Sequence, residues 1–501
     1  MLRVGKTGID IVSWIALSCV VLFYLGLNSG TWFISPDSTQ YVEGARSLAT
    51  LRGYVSASGA SLTFFPPGTS ALYALAAILP SGDYFYFNLL TKLLVLAYIG
   101  LSFFIARRYA DTVAALLLLH FLALSQTVIE ASTYILSDPA FSAMLMLTIW
   151  QFSDDQLDNM SPRSAAGLGL MLAACYALRT TGLFVFLAYV TCIFLRARHS
   201  RMKSIGALAL AFMVVALPVA LLGQRGEYSY FKIMLMREPW FADSGSPGLL
   251  EWGTRIAINL KTVLSHIYYI FSNDRGLRLS GVVICVLMAL GFVVTFVQQR
   301  VSLHVTILSF YVAALLAWES VPRLIIPIIP VLALLAFTGA RWITHWPKPS
   351  WARGGLALTL TAVICISPYW WNGYSYAQGQ RAELARKRGE VVAYQGHEAF
   401  LDLVRQNAHR LTRSDVVATM HANILRYFLR DGVKVWPVPL TVDPDKSYRE
   451  IREAQTTYLY CDKKVTTIWK HVEPMIRRHA AGLELVAENG SAVIYRVRTE
   501  R

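Results

Sequence analysis

The sequence predicts an all-α, polytopic membrane protein of about eleven transmembrane helices, followed by a C-terminal extracytoplasmic α/β domain. Three observations predict it. Hydrophobic residues make up 55% of the 501 residues and charged residues only 15%, with a mean hydropathy of +0.45. That is too little polar surface to cover a globule in water. Apolar windows of about 18–20 residues recur along the chain, matching the length that crosses the ~30 Å hydrocarbon core. Polarity then rises sharply after residue 372, where helical and strand patterns alternate.

Spans are expected at 9–28, 85–106, 112–131, 135–152, 164–180, 182–195, 204–222, 279–297, 301–318, 324–340 and 354–371. The first follows Arg3 and Lys6. Its apolar core exceeds the ~7–15 residues of a signal peptide and no small-x-small site follows Leu27, so it reads as an uncleaved anchor. Residues 70–79 are also apolar, but they fall short of the ~17 residues a spanning helix needs. Loop charge decides their place. With eleven spans and a cytoplasmic N-terminus, the inner loops hold Arg107 and Arg108, then Arg196, Arg198, Arg201 and Lys203, then Arg300, then Arg341, Lys348 and Arg353. Counting 70–79 as a span would put the later basic loops outside, against the positive-inside rule. The stretch therefore reads as a juxtamembrane helix. The expected protein is a multi-pass protein of the cell inner (plasma) membrane, with its C-terminal domain periplasmic or extracellular.

The chain carries a net charge of +15, and in its apolar part the basic residues cluster in those short loops, as topology alone requires. No basic domain with base-stacking aromatics stands apart, so nucleic acid is excluded as a partner. Cys19, Cys175, Cys192, Cys285 and Cys365 lie in apolar spans and only Cys461 lies outside them, which gives neither a disulfide framework nor metal-ligand spacing. His120, His266 and His304 form no i, i+4 pair, which argues against a metal site built on histidine.

The transmembrane domain is expected over 1–371, with a first external loop at 29–84 and a larger one at 223–278. The larger loop mixes Trp240, Trp252, Gly245 and Pro247 with a helix-like stretch at 256–271. It is far longer than an ordinary connection and reads as a lid, with Lys232, Arg237, Trp240 and Arg255 available to close over a substrate. In the domain at 372–501, helices are expected at 376–408, 423–429 and 465–479, and strands at 416–419, 434–438, 458–461, 483–488 and 492–497. It carries no Gly-x-Gly-x-x-Gly and no phosphate-binding loop, and the chain has no internal repeat.

The most informative segment is Ser35-Pro36-Asp37-Ser38-Thr39-Gln40-Tyr41-Val42-Glu43-Gly44-Ala45-Arg46-Ser47-Leu48, followed by Phe64-Phe65-Pro66-Pro67-Gly68. It puts a carboxylate on a short helix at the mouth of the first span. The pattern Asp-x-x-x-Tyr-x-x-x-Ala-x-x-Leu with its later Pro-Pro-Gly resembles the first external loop of the GT-C membrane glycosyltransferases. These take sugars from polyprenyl-phosphate carriers, and include the aminoarabinose transferases of lipid A and the protein O-mannosyltransferases. The resemblance runs to about residue 80 as motif and to about residue 340 as an order of features. Ser38 departs from it, since many relatives carry a second acid there, and this weakens any metal assignment at that point.

Local sequence gives Asp37 two readings: a first-turn residue favoured by the helix dipole behind a Ser35 cap, or a carboxylate held ionised to accept a proton. The resemblance favours the second. Asp138, in Ser137-Asp138-Pro139, stands at the outer end of the fourth span, where the resembling enzymes carry a carboxylate facing the first one. Charges at such positions are costly, and are usually functional or paired. Glu130 reads equally as a supporting acid or as a structural partner for a cation.

Arg179 and Arg323 fall at outer span ends, where positive charge runs against topology and a guanidinium can fork onto a phosphate. Arg323 with its Ile/Pro-rich span resembles the family's Arg-Tyr-x-x-Pro feature, with Leu324 in place of Tyr. An ion pair with Glu319 is the competing reading. Lys92, Arg46 and Arg52 are weaker candidates, and Tyr41 reads as packing.

The resemblance implies transfer of a glycosyl group from a polyprenyl-phosphate-linked donor to the hydroxyl of a glycan, lipid or protein acceptor at the outer face. No cofactor is named by the sequence, and a divalent metal is left open. A lipid or glycan flippase and a lipid-linked glycan polymerase or ligase are the alternatives. Repeated halves and helices broken near the midplane, frequent in transporters, are not visible.

Overall fold

The computed structural model of the chain describes residues 10–57, 59–80, 83–197, 200–223, 230–238, 240–273, 279–299, 301–318, 321–345, 368–387, 389–393, 396–429 and 432–498. Its first part is helical. Helices α1 (Ile11–Leu25), α2 (Pro36–Ala49), α3 (Gly68–Ala77), α4 (Phe85–Tyr109), α5 (Thr112–Leu124), α6 (Gln126–Thr133) and α7 (Ser137–Gln151) lead to α8 (Asp154–Leu157), α9 (Pro162–Leu178), α10 (Gly182–Arg196) and α11 (Arg201–Gly223). After these come α12 (Tyr230–Met234), α13 (Leu249–Ser272), α14 (Leu279–Gln299), α15 (Leu303–Ala317), a 3₁₀ turn (Pro322–Ile328) and α16 (Ile329–His345).

The first ten expected spans each fall on described helices. Among the described residues, four helical segments are by themselves long and apolar enough to cross a membrane: Phe85–Tyr109, Arg201–Leu222, Leu279–Gln299 and Pro322–Thr344. A fifth candidate is the α5–α6 pair, which bends by 54° at its break. The expected span at 354–371 lies, up to residue 367, outside the described residues. Outward-facing side chains such as Ile11, Leu22, Leu210 and Val297 are at least 70% exposed. Apolar residues all round a helix call for lipid rather than water as solvent.

The short stretch at 70–79 folds as α3, ten residues long, packed on α2 and α4. The described part of the segment 223–278 contains α12, a 3₁₀ turn at Ala242–Ser244 and the long α13, which packs along α15.

The tail begins with a helix at Pro368–Arg386 and continues through strand β2 (Val391–Ala393) to a helix at Glu398–Asn407. The continuous helix expected over 376–408 is therefore broken. Gly389 and Gly396 adopt positive φ of 78° and 92°, a conformation that ends helices and suits glycine. The helix expected at 423–429 shortens to Ala422–Leu425. Five further strands follow: β3 (Val416–Thr419), β4 (Lys434–Pro437), β5 (Tyr458–Asp462), β6 (Leu483–Glu488) and β7 (Ala492–Val497). They form one sheet in the order β4-β3-β5-β7-β6, parallel over β4, β3 and β5 and antiparallel beyond. Alternate residues face opposite layers. Val417, Tyr458, Tyr460 and Ile494 join one core, and Ala418, Leu459, Cys461 and Val493 the other.

The first of these cores is shared with the segment that carries Asp37. Strand β1 (Trp32–Ile34), directly before α2, pairs in parallel with β2, Trp32 facing Val391 and Ile34 facing Ala393. Trp32 is fully buried, with its ring 4.5 Å from Tyr84 and 5.1 Å from Tyr427. Glu43 of α2 accepts from Tyr427 Oη at 3.0 Å and lies 3.4 Å from the Arg426 guanidinium. The tail and the segment that carries Asp37 thus share one core.

Candidate active site

The site starts at the turn from β1 into α2. Ser35 Oγ accepts the Ser38 N–H at 3.1 Å, and Ser38 Oγ accepts the Ser35 N–H at 2.8 Å. This reciprocal box satisfies two helix-end donors, and Pro36 takes the first helical position, where its missing N–H is not needed. Ser38, where the resemblance leads one to expect a second acid, is fully buried in this role. The cap therefore needs nothing from Asp37. Its carboxylate instead forms an ion pair with Arg323.

Arg323 sits on the 3₁₀ turn bracketed by Pro322 and Pro327, which precedes α16. Irregular backbone within a membrane protein must have its carbonyls satisfied by neighbours. Tyr311 Oη donates to Leu324 O at 2.9 Å and Tyr98 Oη donates to Ile326 O at 2.6 Å, so two buried tyrosines fix the turn. Asp37 and Arg323 face a cavity of about 460 Å³, also lined by Thr127, Glu130, Tyr134 and Pro322. That volume is in the range of small-molecule sites. Their side chains are 27% and 36% exposed, so both groups are reachable from the cavity.

A second acid–base pair lies behind the first. Asp138, in the first turn of α7, forms an ion pair with Arg179, the residue that ends α9, and Arg179 also approaches Ser137 Oγ at 3.4 Å. Here the side chains are only 2% and 15% exposed. The Asp138 charge also acts on Arg323, which links the two pairs electrostatically. The Pro-Pro-Gly turn explains itself at this point. A Cβ on Gly68 would fall 2.4 Å from the Ala177 carbonyl oxygen, and Thr69 Oγ1 donates to Leu178 O at 3.0 Å. The turn is docked on the end of α9, beside Arg179, and only glycine permits that approach.

The four residues expected to carry the chemistry are thus brought together as two acid–arginine pairs. Glu130 lines the same cavity, and Arg323 is the cation whose field it feels. It is carried there by the 54° bend between α5 and α6. Tyr41 is buried, with its ring 5.1 Å from Phe65, and lies close enough to act electrostatically on both arginines. Lys92 is buried on α4 and donates to Ser132 O at 3.2 Å, away from the cavity wall. Arg46 lies over the Tyr84 ring and Arg52 donates to Thr50 Oγ1, so neither belongs to the site. Glu319 lies outside the described residues, and the partner found for Arg323 is Asp37.

The segment expected to act as a lid touches both the Pro-Pro-Gly turn and the tail. Trp240 packs against Phe64, ring centroids 5.0 Å apart, next to the Pro-Pro-Gly turn. Asp243 Oδ1 accepts the Val442 N–H at 3.1 Å, Glu238 pairs with Lys470, and Phe241 packs on His471 at 4.1 Å, all on the tail domain. Arg237 pairs with Glu251 at 3.1 Å, and Arg255 donates to the carbonyls of Met234 and Arg237. These two arginines hold that segment's own fold. Lower on α5, an apolar groove of about 80 Å³ runs between α5, α14 and α16, lined by Leu117, Phe121, Leu287 and Phe337 among others.

One cluster escaped the sequence reading. His397, His421 and Asp462 converge in the tail domain, against the expectation that no histidine site would form. Burial opposes the Asp462 charge, yet hydrogen bonds from both histidines and from the Lys464 N–H hold its carboxyl well below the usual carboxylate range. The residues lie 24 and 41 positions apart, which no local spacing rule detects.

No protein-family model matches the chain, and no curated protein matches it in sequence. Solved structures do match. ArnT from Cupriavidus metallidurans bound to undecaprenyl phosphate gives a TM-score of 0.52 at 14% identity, covering 97% of this chain and 98% of ArnT. The archaeal oligosaccharyltransferase AglB from Archaeoglobus fulgidus, in complex with an inhibitory peptide and a dolichol-phosphate, gives 0.54 at 13% identity over 96% of this chain and 74% of AglB. The Archaeoglobus fulgidus oligosaccharyltransferase in complex with Zn and sulfate gives 0.51 at 12% identity over 96% and 72%. At such identities the likeness is one of fold. Over nearly its whole length the chain has the GT-C fold of membrane glycosyltransferases, the fold expected from the Asp37 loop and its Pro-Pro-Gly turn.

Proposed function

We propose that the protein is a membrane glycosyltransferase that moves a sugar from a polyprenyl-phosphate-linked donor to an acceptor hydroxyl at the outer face of the inner (plasma) membrane. The observation that carries this reading is the Asp37–Arg323 pair, open to a cavity of about 460 Å³. Such a pair offers a base and a phosphate ligand side by side. The donor phosphate competes with Asp37 for the Arg323 guanidinium, and its arrival frees the carboxylate. Asp37 then takes the proton of the acceptor hydroxyl as its oxygen bonds to the anomeric carbon. The bond from that carbon to the phosphate oxygen breaks, and polyprenyl phosphate leaves with the electron pair. Arg323 is placed to neutralise the charge growing on the leaving group, where fixed charge lowers a barrier most. Asp138 and Arg179 set the field behind this pair, and the groove beside α5 offers an apolar bed for the donor's hydrocarbon.

The binding of undecaprenyl phosphate by ArnT and of dolichol-phosphate by AglB supports the donor class. The test is incubation of the purified protein with radiolabelled polyprenyl-phosphate sugars and an envelope-lipid extract. Label transferred to an acceptor, with matching release of polyprenyl phosphate, is expected. Movement of intact donor across a vesicle bilayer without cleavage would make it a flippase instead.

The same reading gives the chain about eleven spans, a cytoplasmic N-terminus and an external tail domain. The β1–β2 pairing supports it, because it ties the tail to the loop that holds Asp37. A reporter that works only in the cytoplasm, fused after Arg501, should stay silent. A strong signal would place both the tail and Asp37 on the inner side.

A further inference from the structure

We propose that His397, His421 and Asp462 form a site for one zinc-class divalent metal ion in the tail domain, separate from the Asp37 cavity. Topology is the first support. The chain leaves β3 for β4 on one side and reaches β5 on the other side of β3. The crevice at the carboxyl ends of β3 and β5 is therefore a switch point, where the loops diverge and ligands of open α/β sheets are held. Asp462 is the last residue of β5, and His421 stands two residues beyond β3. His397 enters from the start of the helix Glu398–Asn407.

Geometry is the second support. His397 Nδ1, His421 Nε2 and Asp462 Oδ2 all lie within 4.8 Å of one another, and the His421–Asp462 separation is 3.1 Å. Metal–ligand bonds of ~2.0–2.1 Å in a tetrahedral set put ligand atoms about 3.3 Å apart. The His421–Asp462 pair would open by only a few tenths of an ångström around an ion, while His397, which stands closer to Oδ2, would draw back further at its partly exposed edge. The other carboxylate oxygen, Oδ1, accepts the Lys464 N–H at 2.9 Å, which aims Oδ2 at the two rings.

Chemistry selects the ion. Two imidazoles and one carboxylate suit zinc, whereas magnesium and calcium prefer all-oxygen shells. Asp462 and His421 are buried, and His397 is 15% exposed, which leaves the approach for the ion and for a fourth ligand on its side. The competing reading is a metal-free network in which both rings donate a proton to Oδ2. Metal binding would displace both protons.

This inference does not depend on glycosyl transfer, and its test measures metal alone. Untagged full-length protein in detergent is stripped with chelator and titrated with zinc against a chromophoric competitor. One equivalent should bind with a dissociation constant of about 1 µM or tighter. Asp462→Asn and His421→Gln, which keep shape and hydrogen bonding, should each weaken binding by about 100-fold or more. His397→Ala, at the partly exposed edge, covers the case in which a buried variant fails to fold. Cobalt(II) should give the wild-type protein the visible absorption of a tetrahedral nitrogen/oxygen site. Absence of a tight equivalent, or equal affinity in wild type and His397→Ala, would leave the cluster as a hydrogen-bond network and overturn the assignment.

Discussion

Asp37→Asn should lower glycosyl transfer by about 10²–10⁴-fold, the usual contribution of a general base, while the protein still folds and inserts. Asparagine keeps the size of the side chain and one acceptor oxygen but cannot take up a proton. The helix start is insulated from the change, because Ser35 and Ser38 close the capping box without Asp37. What remains is the lost attraction between a first-turn carboxylate and the helix dipole, about 0.3–1 kcal/mol. The pair with Arg323 is also lost, but that guanidinium is 36% exposed and is not left as a buried orphan. A large drop in rate with little drop in stability therefore separates catalysis from structure. Normal product formation by a well-expressed Asp37→Asn protein would sink the assignment and move attention to Glu130 on the same cavity wall.

Asp138→Ala should act in the opposite way, on the fold before the chemistry. The Asp138 side chain is 2% exposed and its partner Arg179 is 15% exposed. Removing one member of a buried pair leaves an uncompensated charge, at a cost of about 3–5 kcal/mol. Lower yield and a lower melting temperature in detergent are expected. Replacing both members by apolar residues of similar volume, Asp138→Leu with Arg179→Met, should recover most of that loss. The double variant then isolates the electrostatic contribution. If it is stable and transfers sugar at the normal rate, the second pair is scaffold only. If it is stable and slow, the field of Asp138 and Arg179 contributes to the reaction. Unchanged stability in Asp138→Ala would show that Arg179 finds another partner or water, against the pairing described here.

Much of the architecture was legible locally. Ten of the eleven expected apolar windows fall on described helices, and among the described residues four helical segments, or five with the bent α5–α6 pair, are long and apolar enough to cross a membrane. The strands at Val416–Thr419, Leu483–Glu488 and Ala492–Val497 coincide with the expected ranges. The helix break between Arg386 and Glu398 was not legible. Its flanks are good helix formers, and the deciding contact is the pairing of β2 with a strand more than 350 residues earlier, which also orders Thr31 Oγ1 on Lys387 O.

The sequence by itself determined that the chain is a helical membrane protein with a small α/β tail, and it named Asp37, Asp138, Arg179 and Arg323. The fold rests on length and periodicity, and the choice of residues on misplaced charge together with the resemblance of the Asp37 loop, all of them read from local stretches of chain. Only the tertiary structure decided how those residues combine. Arg323 meets Asp37 across 286 positions of chain, and Arg179 meets Asp138 across 41. It also decided that one pair lines a cavity while the other is buried, and that two distant histidines meet Asp462 at the ends of adjacent parallel strands. Charge pairing and ligand convergence are set by which helices and strands pack together, and that information is spread over the whole chain rather than held in any window of it.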